Sequence, residues 1–330
     1  MCGICGFTGY RQDQKTVIER MMKAIEHRGP DSEGSFCREK ITLGFRRLSI
    51  IDLEDGQQPM ESADGNLHIV FNGEIYDYKE LRAELEAFGI SFCTHSDTEV
   101  LINTIQQYGE KALDKLRGMF GFAVWNEQEQ SLMLARDFFG IKPVYYAEID
   151  GHFVFASEIK SILAFPGYER KVNQKALEQY LSFQYAPLEE TFFKGIYKLM
   201  PGHMLLYKNG NYEIKTYFKT KLTPGKWNRK TNMDQLRSQL AEILKDSVKH
   251  HMLSDVEVGA FLSGGVDSGY LASASGADQA FTVGFDEGDR YSEVNKAAKV
   301  AEKAGLKHHV KIISKQEFWD ALPDVMYHMD

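Results

Sequence analysis

The pattern of apolar and polar residues changes once along the chain. Up to residue 210 it consists mainly of short runs rich in aromatic and β-branched residues, separated by turn signals such as Asp150-Gly151 and Asn209-Gly210, as is typical of β-strands. The predicted strands include residues 66–71, 118–125, 131–135, 144–149 and 152–156. Apolar residues at helical spacing predict helices at 78–88 and 98–108. We therefore expect a layered α+β domain over residues 1–210.

A polar, lysine-rich stretch with Pro-Gly punctuation follows and predicts a linker at 211–232. Beyond it, helices predicted at 233–252, 268–275, 292–304 and 315–329 alternate with strands at 256–262, 280–285 and 308–313. Alternating strands and helices indicate a parallel α/β domain over residues 233–330. Three parallel strands would leave an edge and a face poorly covered, so we expect the chain to end inside this domain and the domain to be truncated.

Composition places the chain among globular proteins and narrows its partners. Hydrophobic residues make up 43% and charged residues 26% of the 330 residues, which excludes disorder as the main state. The net charge of −8 argues against a nucleic-acid or anionic-membrane partner, because such partners need a basic surface. There is no apolar run of the ~18 residues that a membrane span needs and no signal-peptide pattern. With only four cysteines, we expect a reducing, cytoplasmic location.

Cys2 is the most informative single residue. If Met1 is removed, Cys2 carries a thiol and a free α-amine, and the amine can take the thiol proton, as in N-terminal nucleophile enzymes. The thiolate then attacks amide or ester carbonyls. Two other interpretations remain open: an ordinary cysteine near the start, or a metal or redox pair with Cys5, although no second cysteine pair completes a zinc site.

Several dense motifs accompany Cys2 in order along the chain. They are the strings at 27–31 (HRGPD), 47–52 (RLSIID), 58–60 (QPM), 72–76 (NGEIY) and 96–99 (SDTE). Together with the start MCGI, this series resembles the glutaminase domain of class II glutamine amidotransferases. Over residues 1–330 the chain resembles the glutamine-dependent asparagine synthetase family. The resemblance implies an N-terminal nucleophile fold, an αββα sandwich.

The same resemblance implies a glutamine site. Asn72 and Gly73 would supply oxyanion donors, as an amide and a close-approaching backbone N–H can. Arg47 would bind the glutamine α-carboxylate as a bidentate pair, and Glu74 and Asp97 would bind its α-ammonium. A solvated Arg47 and a helix-capping Ser96 or Asp97 are the structural alternatives. The turn at 27–31 is assigned no chemistry.

A glycine-rich loop lies between a predicted strand and helix in the second half, where backbone N–H groups can form an anion cradle. It has the sequence Leu262-Ser263-Gly264-Gly265-Val266-Asp267-Ser268 and resembles the pyrophosphate loop of ATP pyrophosphatases. The resemblance implies that Leu262, Ser263, Gly264, Gly265, Asp267 and Ser268 bind ATP phosphates, that Asp267 helps to hold Mg²⁺, and that adenine lies near Val283. The histidine pairs at 250–251 and 308–309 are more simply packing or surface residues.

The two halves together imply a glutamine-hydrolysing asparagine synthetase with glutamine, aspartate and ATP as substrates, ATP and Mg²⁺ at the second site, and a homodimeric assembly. Cys2 would release ammonia from glutamine, and the ammonia would aminate β-aspartyl-AMP. The family's later acidic magnesium motif and acceptor pocket are not among these residues, so we expect glutamine hydrolysis but not efficient asparagine synthesis from this chain alone. A related ligase that amidates another carboxylate, or a non-catalytic regulatory protein with the glutaminase fold, remains an alternative.

Overall fold

The computed structural model describes residues 1–222, 232–286 and 292–330. The chain divides into two compact units, Met1–Lys221 and Leu222–Asp330. The predicted linker at 211–232 differs from this division, because residues 211–216 pair as a strand of the first unit. The turn signal Asn209-Gly210 joins two paired strands of that unit, not two domains. Most of the remaining linker, residues 223–231, lies outside the described residues.

The first unit is built mainly from strands. Its strands are β1 (Gly3–Thr8), β2 (Ser32–Cys37), β3 (Ile41–Arg47), β4 (Met60–Glu61), β5 (Leu67–Ile75), β6 (Gly118–Asn126), β7 (Ser131–Arg136), β8 (Tyr145–Ile149), β9 (His152–Ala156), β10 (Ile196–Lys198), β11 (His203–Lys208) and β12 (Asn211–Thr216). Its helices are α1 (Gln14–Ala24), α2 (Tyr78–Ala87), α3 (Asp97–Tyr108), α4 (Ile159–Leu163) and α5 (Gln174–Phe183).

Two six-stranded sheets face each other in this unit. One has the order β10-β8-β9-β1-β3-β2 and the other β12-β11-β7-β6-β5-β4. Alternating residues of both sheets meet in a buried core that includes Ile4, Phe45, Val70, Trp125 and Leu134. Because side chains alternate along a strand, Cys5 and Phe7 point to the other face of β1, where they pack with residues of α1 and α4.

Helices cover the outer faces of the two sheets. α1 and α4 pack on the sheet that contains β1, while α3 packs on β5 and against α2. The result is the four-layer αββα sandwich that the resemblance implied. The predicted fold class of the first unit is confirmed.

Strand β5 runs further than the sequence pattern indicated. The predicted strand ended at residue 71, with Asn72 and Gly73 placed after it, but β5 continues through them to Ile75. Pairing with β6 over the whole length extends it, from Leu67 opposite Asn126 to Ile75 opposite Gly118. A side chain at position 73 would place its Cβ 2.2 Å from the Met119 carbonyl oxygen, so only glycine fits there.

The second unit is a parallel sheet with helices. Its elements are α6 (Met233–His251), β13 (Ala260–Phe261), α7 (Val266–Ser275), β14 (Gln279–Phe285), α8 (Val294–Ala304), β15 (Lys307–Ile313) and α9 (Lys315–Met329). The strands lie in the order β13-β14-β15, and both pairings are parallel, as predicted. β13 is shorter than the predicted strand at 256–262, because only two of its residues pair with β14. No helix in the described part of the chain is long and apolar enough to cross a membrane.

Candidate active site

The six residues that sequence analysis assigned to glutamine chemistry line one cavity of the first unit. This cavity has a volume of about 190 Å³, and its lining includes Cys2, Arg47, Asn72, Gly73, Glu74 and Asp97. They come from three separate regions: the residue before β1, the end of β3, and the β5–α3 region. The fold thus brings together residues that are up to 95 positions apart in sequence (97 − 2).

Cys2 stands immediately before β1, which lies in the middle of its sheet between β3 and β9. The Cys2 thiol donates to the Leu48 carbonyl oxygen at 3.5 Å and accepts from the Leu48 N–H at 3.4 Å. Burial raises the pKa of the Cys2 thiol, although the Leu48 N–H partly offsets this. The thiol is therefore held in place by the backbone after β3, and it needs a base to become a thiolate.

Asn72 and Gly73 present donors to this cavity. The Asn72 side chain is 1% exposed, and its Nδ2 has no hydrogen-bond partner within the described residues. Buried polar groups are normally paired, and an unpaired one costs about 1–3 kcal/mol. An unpaired amide donor that lines the same cavity as a thiol is suited to bind an oxyanion.

Asp97 and Glu74 bring two carboxylates to the same cavity. Asp97 opens helix α3, and the preceding Ser96 caps the helix by accepting from the Thr98 N–H at 3.1 Å. The Asp97 Oδ2 accepts from the Ile75 N–H at 3.0 Å. Burial and the repulsion of Glu74 raise the pKa of Asp97 to about 7, against the effect of that N–H. An ammonium group placed between the two carboxylates would relieve their repulsion.

Arg47 is buried, not solvated, with 3% of its surface exposed. Its guanidinium donates to the main-chain carbonyls of Ile51, Asp52 and Leu53. These bonds tie the loop after β3 to Arg47, which lines the cavity. A guanidinium carries five N–H donors, so these three bonds leave room for a carboxylate ligand.

Lys142 also lines this cavity, and sequence reasoning missed it. It is 5% exposed, and burial lowers its pKa, against the attraction of Glu74. Asp137 fixes the loop that carries it, because its carboxylate accepts from the N–H groups of Phe139, Ile141 and Lys142. The charged pair Arg136-Asp137 at the end of β7 is the local feature that could have marked the loop of Lys142. Nothing in the strand pattern connected this pair with Cys2.

Gln58 and Thr98 are further lining residues that sequence reasoning left without a role. The Gln58 Nε2 donates to the Thr98 Oγ1 at 3.1 Å. Both side chains are almost fully buried. They connect the segment before β4 to the first turn of α3.

The glycine-rich loop of the second unit forms a tight turn between β13 and α7. Gly264 has a φ of +76°, and a Cβ there would lie 2.7 Å from the Lys296 Cβ, so the turn requires glycine. The hydroxyls of Ser263 and Ser268 lie 2.9 Å apart, and the Ser268 Oγ accepts from the Ser263 N–H at 3.2 Å. Helix α7 begins directly after Gly265, so its N-terminus and both hydroxyls face the same turn.

The other residues assigned to nucleotide binding surround this loop. Leu262 is buried beneath it, and its carbonyl oxygen accepts from the Thr282 hydroxyl at 2.6 Å. Asp267 is exposed on the first turn of α7, and Val283 is half-exposed on β14. The histidine pairs have local partners: His250 and His251 each bond a carbonyl one turn earlier, while His308 bonds Thr282 and His309 bonds Gln279.

Comparison with known families assigns both units. The glutamine amidotransferase domain model matches residues 1–218, and the asparagine synthase model matches residues 239–330. A Bacillus subtilis (strain 168) protein named asparagine synthetase [glutamine-hydrolyzing] 1 is 43% identical over 99% of this chain and 53% of its own length. A Gibberella zeae protein named amidase chry2 is 31% identical over 100% of this chain and 54% of its own length. The chain thus spans about half the length of these relatives.

A solved structure shares the fold. It is a glutamine phosphoribosylpyrophosphate amidotransferase from B. subtilis complexed with ADP and GMP, with a TM-score of 0.51 and 18% identity. The match covers 94% of this chain and 65% of that one. At this identity the likeness establishes the fold alone, and it agrees with the sandwich described above.

Proposed function

The chain belongs to the glutamine amidotransferase domain family and has the domain order of the glutamine-hydrolysing asparagine synthetases, and we propose on this basis that its first unit hydrolyses glutamine to glutamate and ammonia. The observation that supports this proposal most directly is the meeting of Cys2 with an unpaired, buried Asn72 amide in one cavity. A nucleophile and an oxyanion donor around one space are the minimum for acyl transfer.

Glutamine fits the charges of this cavity. Its α-carboxylate would pair with Arg47, and its α-ammonium with Glu74 and Asp97. Its side-chain carboxamide would then face Cys2, with the carbonyl oxygen directed to the Asn72 amide and the Gly73 N–H. Each charged end of the substrate thus meets an opposite charge, which fixes its direction in the cavity.

The proton path begins at the α-amine that removal of Met1 exposes. The amine takes the thiol proton, and the thiolate attacks the carboxamide carbon, so that a C–S bond forms and the oxygen becomes an oxyanion. The amine returns the proton to the departing nitrogen, and the C–N bond breaks. Ammonia is released, and the acyl group remains bound to Cys2 as a thioester. Water then gives one proton to the amine and attacks the thioester carbon, the C–S bond breaks, and the amine passes its proton to the departing thiolate. The products are glutamate and the free thiol.

For the whole protein we propose glutamine-dependent asparagine synthesis. ATP would activate the aspartate side-chain carboxylate as β-aspartyl-AMP with release of pyrophosphate, and ammonia would displace AMP to give asparagine. The loop at Ser263–Ser268 would hold the ATP phosphates with its N–H groups and hydroxyls. Ammonia is useful only while unprotonated, which explains why its source and its acceptor belong to one protein.

A magnesium ion would bind here mainly through the ATP phosphates. The described residues contain no group of three acidic, histidine or cysteine side chains that could hold a metal. Asp267, on the first turn of α7, fits a single carboxylate ligand, and Mg²⁺ with nucleotides is commonly held by one or two carboxylates. The ion would neutralise phosphate charge. We further propose a homodimer in the cytoplasm, in keeping with the family and the free cysteines.

A second candidate has one observation in its favour. The relative named amidase chry2 shares the whole length of this chain, so the two units also occur in a protein with a different name. A ligase that amidates another carboxylate is therefore the alternative for the acceptor. Exchange of labelled pyrophosphate into ATP, with aspartate compared against other carboxylates in the full-length protein, separates the two.

The deciding experiment for the first unit is glutamate release from glutamine by the purified chain, with intact mass measured on the same sample. We expect turnover that requires Cys2 and a mass that lacks Met1. Cys2→Ala should abolish turnover, whereas Cys93→Ala, a matched change at an exposed thiol, should not. Turnover that survives Cys2→Ala, or a folded and processed chain without turnover, would contradict the proposal.

A further inference from the structure

On one edge of β5, the pairing strand β4 ends before β5 reaches Asn72 and Gly73. On that side β5 pairs with β4 only at His68 and Ile69. Because N–H groups alternate sides along an antiparallel strand, those of Phe71, Gly73 and Ile75 point to this edge. The other set faces β6, where the pairing continues to Tyr76, whose N–H bonds the Arg117 carbonyl oxygen at 2.7 Å.

Side chains replace the missing strand at two of these three positions. The Gln58 Oε1 accepts from the Phe71 N–H at 2.6 Å. The Asp97 Oδ2 accepts from the Ile75 N–H at 3.0 Å. The Gly73 N–H lies between them, on the cavity that Gly73 itself lines. Of these three main-chain N–H groups, those of Phe71 and Ile75 have side-chain acceptors, and that of Gly73 between them remains for a substrate.

Gln58 also reaches the other side of the site. Its Nε2 donates to Thr98 Oγ1 at 3.1 Å, in the first turn of α3, next to Asp97. The buried side-chain amide of Gln58 therefore connects Phe71, which precedes Asn72, to Thr98, which follows Asp97. Such a connection couples the position of the oxyanion donors to that of the ammonium-binding carboxylate.

We propose that Gln58 is a positioning residue of this site, which holds the strand at Phe71 so that the Gly73 N–H faces the substrate oxyanion. The inference rests on the glutaminase function proposed above. Gln58 acts through Phe71 and Thr98 and takes no part in bond making. Loss of Gln58 should therefore lower the stabilisation of the transition state and leave the reactivity of the Cys2 thiol almost unchanged.

Gln58→Met, which removes both hydrogen bonds at a similar side-chain length, tests this role. Losing an oxyanion donor outright costs about 10²–10³ in kcat, so misplacing one is expected to lower kcat by about 10–100-fold. Gln58→Glu keeps an acceptor oxygen for the Phe71 N–H and should recover part of this loss. Thr98→Val cuts only the connection to α3 and should raise KM more than it lowers kcat.

Thr104→Val is the matched control, since Thr104 is also buried in α3 but its hydroxyl bonds the Val100 carbonyl oxygen one turn earlier in the same helix. It should leave kcat and KM near those of the parent chain.

Two further readouts distinguish positioning from general damage. Alkylation of Cys2 by iodoacetamide needs no oxyanion hole, so its rate should stay within about twofold in Gln58→Met. Amide hydrogen exchange over residues 67–75 should become at least about tenfold faster, because the Phe71 N–H loses its acceptor. Unchanged kcat, unchanged exchange, or alkylation that falls in step with kcat would overturn the inference. If the parent chain hydrolyses no glutamine, the proposed function fails, while the exchange measurement still decides the role of Gln58.

Discussion

The Nε of Arg28 donates a hydrogen bond of 2.9 Å to the main-chain carbonyl of Cys2. The same guanidinium donates from Nη1 to Glu158 at 2.7 Å, and both side chains of this pair are buried. Glu158 also bonds His27 and Lys160. The turn at 27–31, which sequence analysis left without chemistry, thus fixes the backbone of Cys2, the proposed nucleophile.

The first prediction concerns this buried pair. Arg28→Met removes the bond to Cys2 and leaves Glu158 with one cation fewer, and breaking a buried pair typically costs about 3–5 kcal/mol. We expect a loss of that order in the free energy of unfolding and at least a tenfold loss of glutamine turnover. Arg46→Met is the matched control, because the side chains of the Arg46 partners Glu26 and Glu33 are 43% and 58% exposed, whereas that of Glu158 is 4% exposed. Equal losses in the two variants, in urea unfolding and glutamate release, would contradict the prediction.

The second prediction concerns the pH dependence of glutamine binding. Asp97 has its pKa raised to about 7 by burial and by Glu74, so it is half-protonated near neutrality when no substrate is bound. KM for glutamine should rise as the pH falls through 7, because neutral Asp97 no longer attracts the α-ammonium. Asp97→Asn should raise KM by at least about tenfold, since a hydrogen bond to a charged group contributes about 1.5–3 kcal/mol, and should flatten this dependence. Steady-state kinetics between pH 5.5 and about 8.5 measure both effects.

The third prediction concerns the effect of Asp97 on the free energy of unfolding. The pKa of Asp97 is higher in the folded chain than the ~3.9 of an unfolded aspartate, so the folded state binds the proton more tightly. The stability that this proton contributes is complete below about pH 4 and is lost as the pH rises to about 7. Asp97→Asn should therefore be more stable than the parent chain above pH 7, by about 1–3 kcal/mol. If the two unfold at equal denaturant concentration at pH 8, Asp97 carries no such penalty.

The fourth prediction concerns Lys142. In the chain that retains Met1, burial lowers the pKa of the Met1 α-amine, the neighbouring Cys2 raises it, and the positive charges of Arg28 and Lys142 lower it. Removal of Met1 leaves the Cys2 α-amine near the same two cations, so we expect its pKa to be lowered as well. Removal of one charge by Lys142→Met should raise that pKa, so the acidic limb of kcat/KM should move to higher pH by roughly 0.5–1 unit. Lys142→Arg keeps the charge and should keep the parent profile. A limb that does not move would show that Lys142 does not influence the base.

The fifth prediction compares two glycines of the second unit. Gly264→Ala forces a side chain into the left-handed region and against Lys296, so it should destabilise this unit by about 1–2 kcal/mol and weaken ATP binding. Gly269 lies within α7, where an added Cβ would meet Val300 at an ordinary 3.5 Å. Gly269→Ala should stabilise the unit by about 0.5–1 kcal/mol. Thermal unfolding and nucleotide titration of both variants test this contrast.

Part of this site could be predicted from the sequence alone, because its residues stand in short local motifs. Cys2, Arg47, Asn72, Gly73, Glu74 and Asp97 were each marked by a dense motif, and the structure gathers all six around one cavity. Strand types and most helix positions also followed from periodicity, since β6, β7 and β9 are short, apolar and bounded by turns.

The rest depended on contacts between distant segments. The extension of β5 to Ile75 is set by β6, about 45 residues later, not by the polar residues Asn72, Gly73 and Glu74 themselves. Lys142 reaches the cavity only because Asp137 folds its loop back, and Gln58 has a role only because β4 ends early. Such features have no local periodicity, so no pattern along the chain reveals them.

The position of β1 has a consequence for the order of events during synthesis. β1 pairs with β3 on one side and with β9, at residues 152–156, on the other. At roughly 5–20 residues per second, the ribosome therefore adds the second neighbour of β1 about 8–30 s after Cys2. β1 thus leaves the ribosome well before the second of the two strands that flank it. The removal of Met1 that the proposed mechanism requires thus has a window of seconds, before β9 covers the second side of β1.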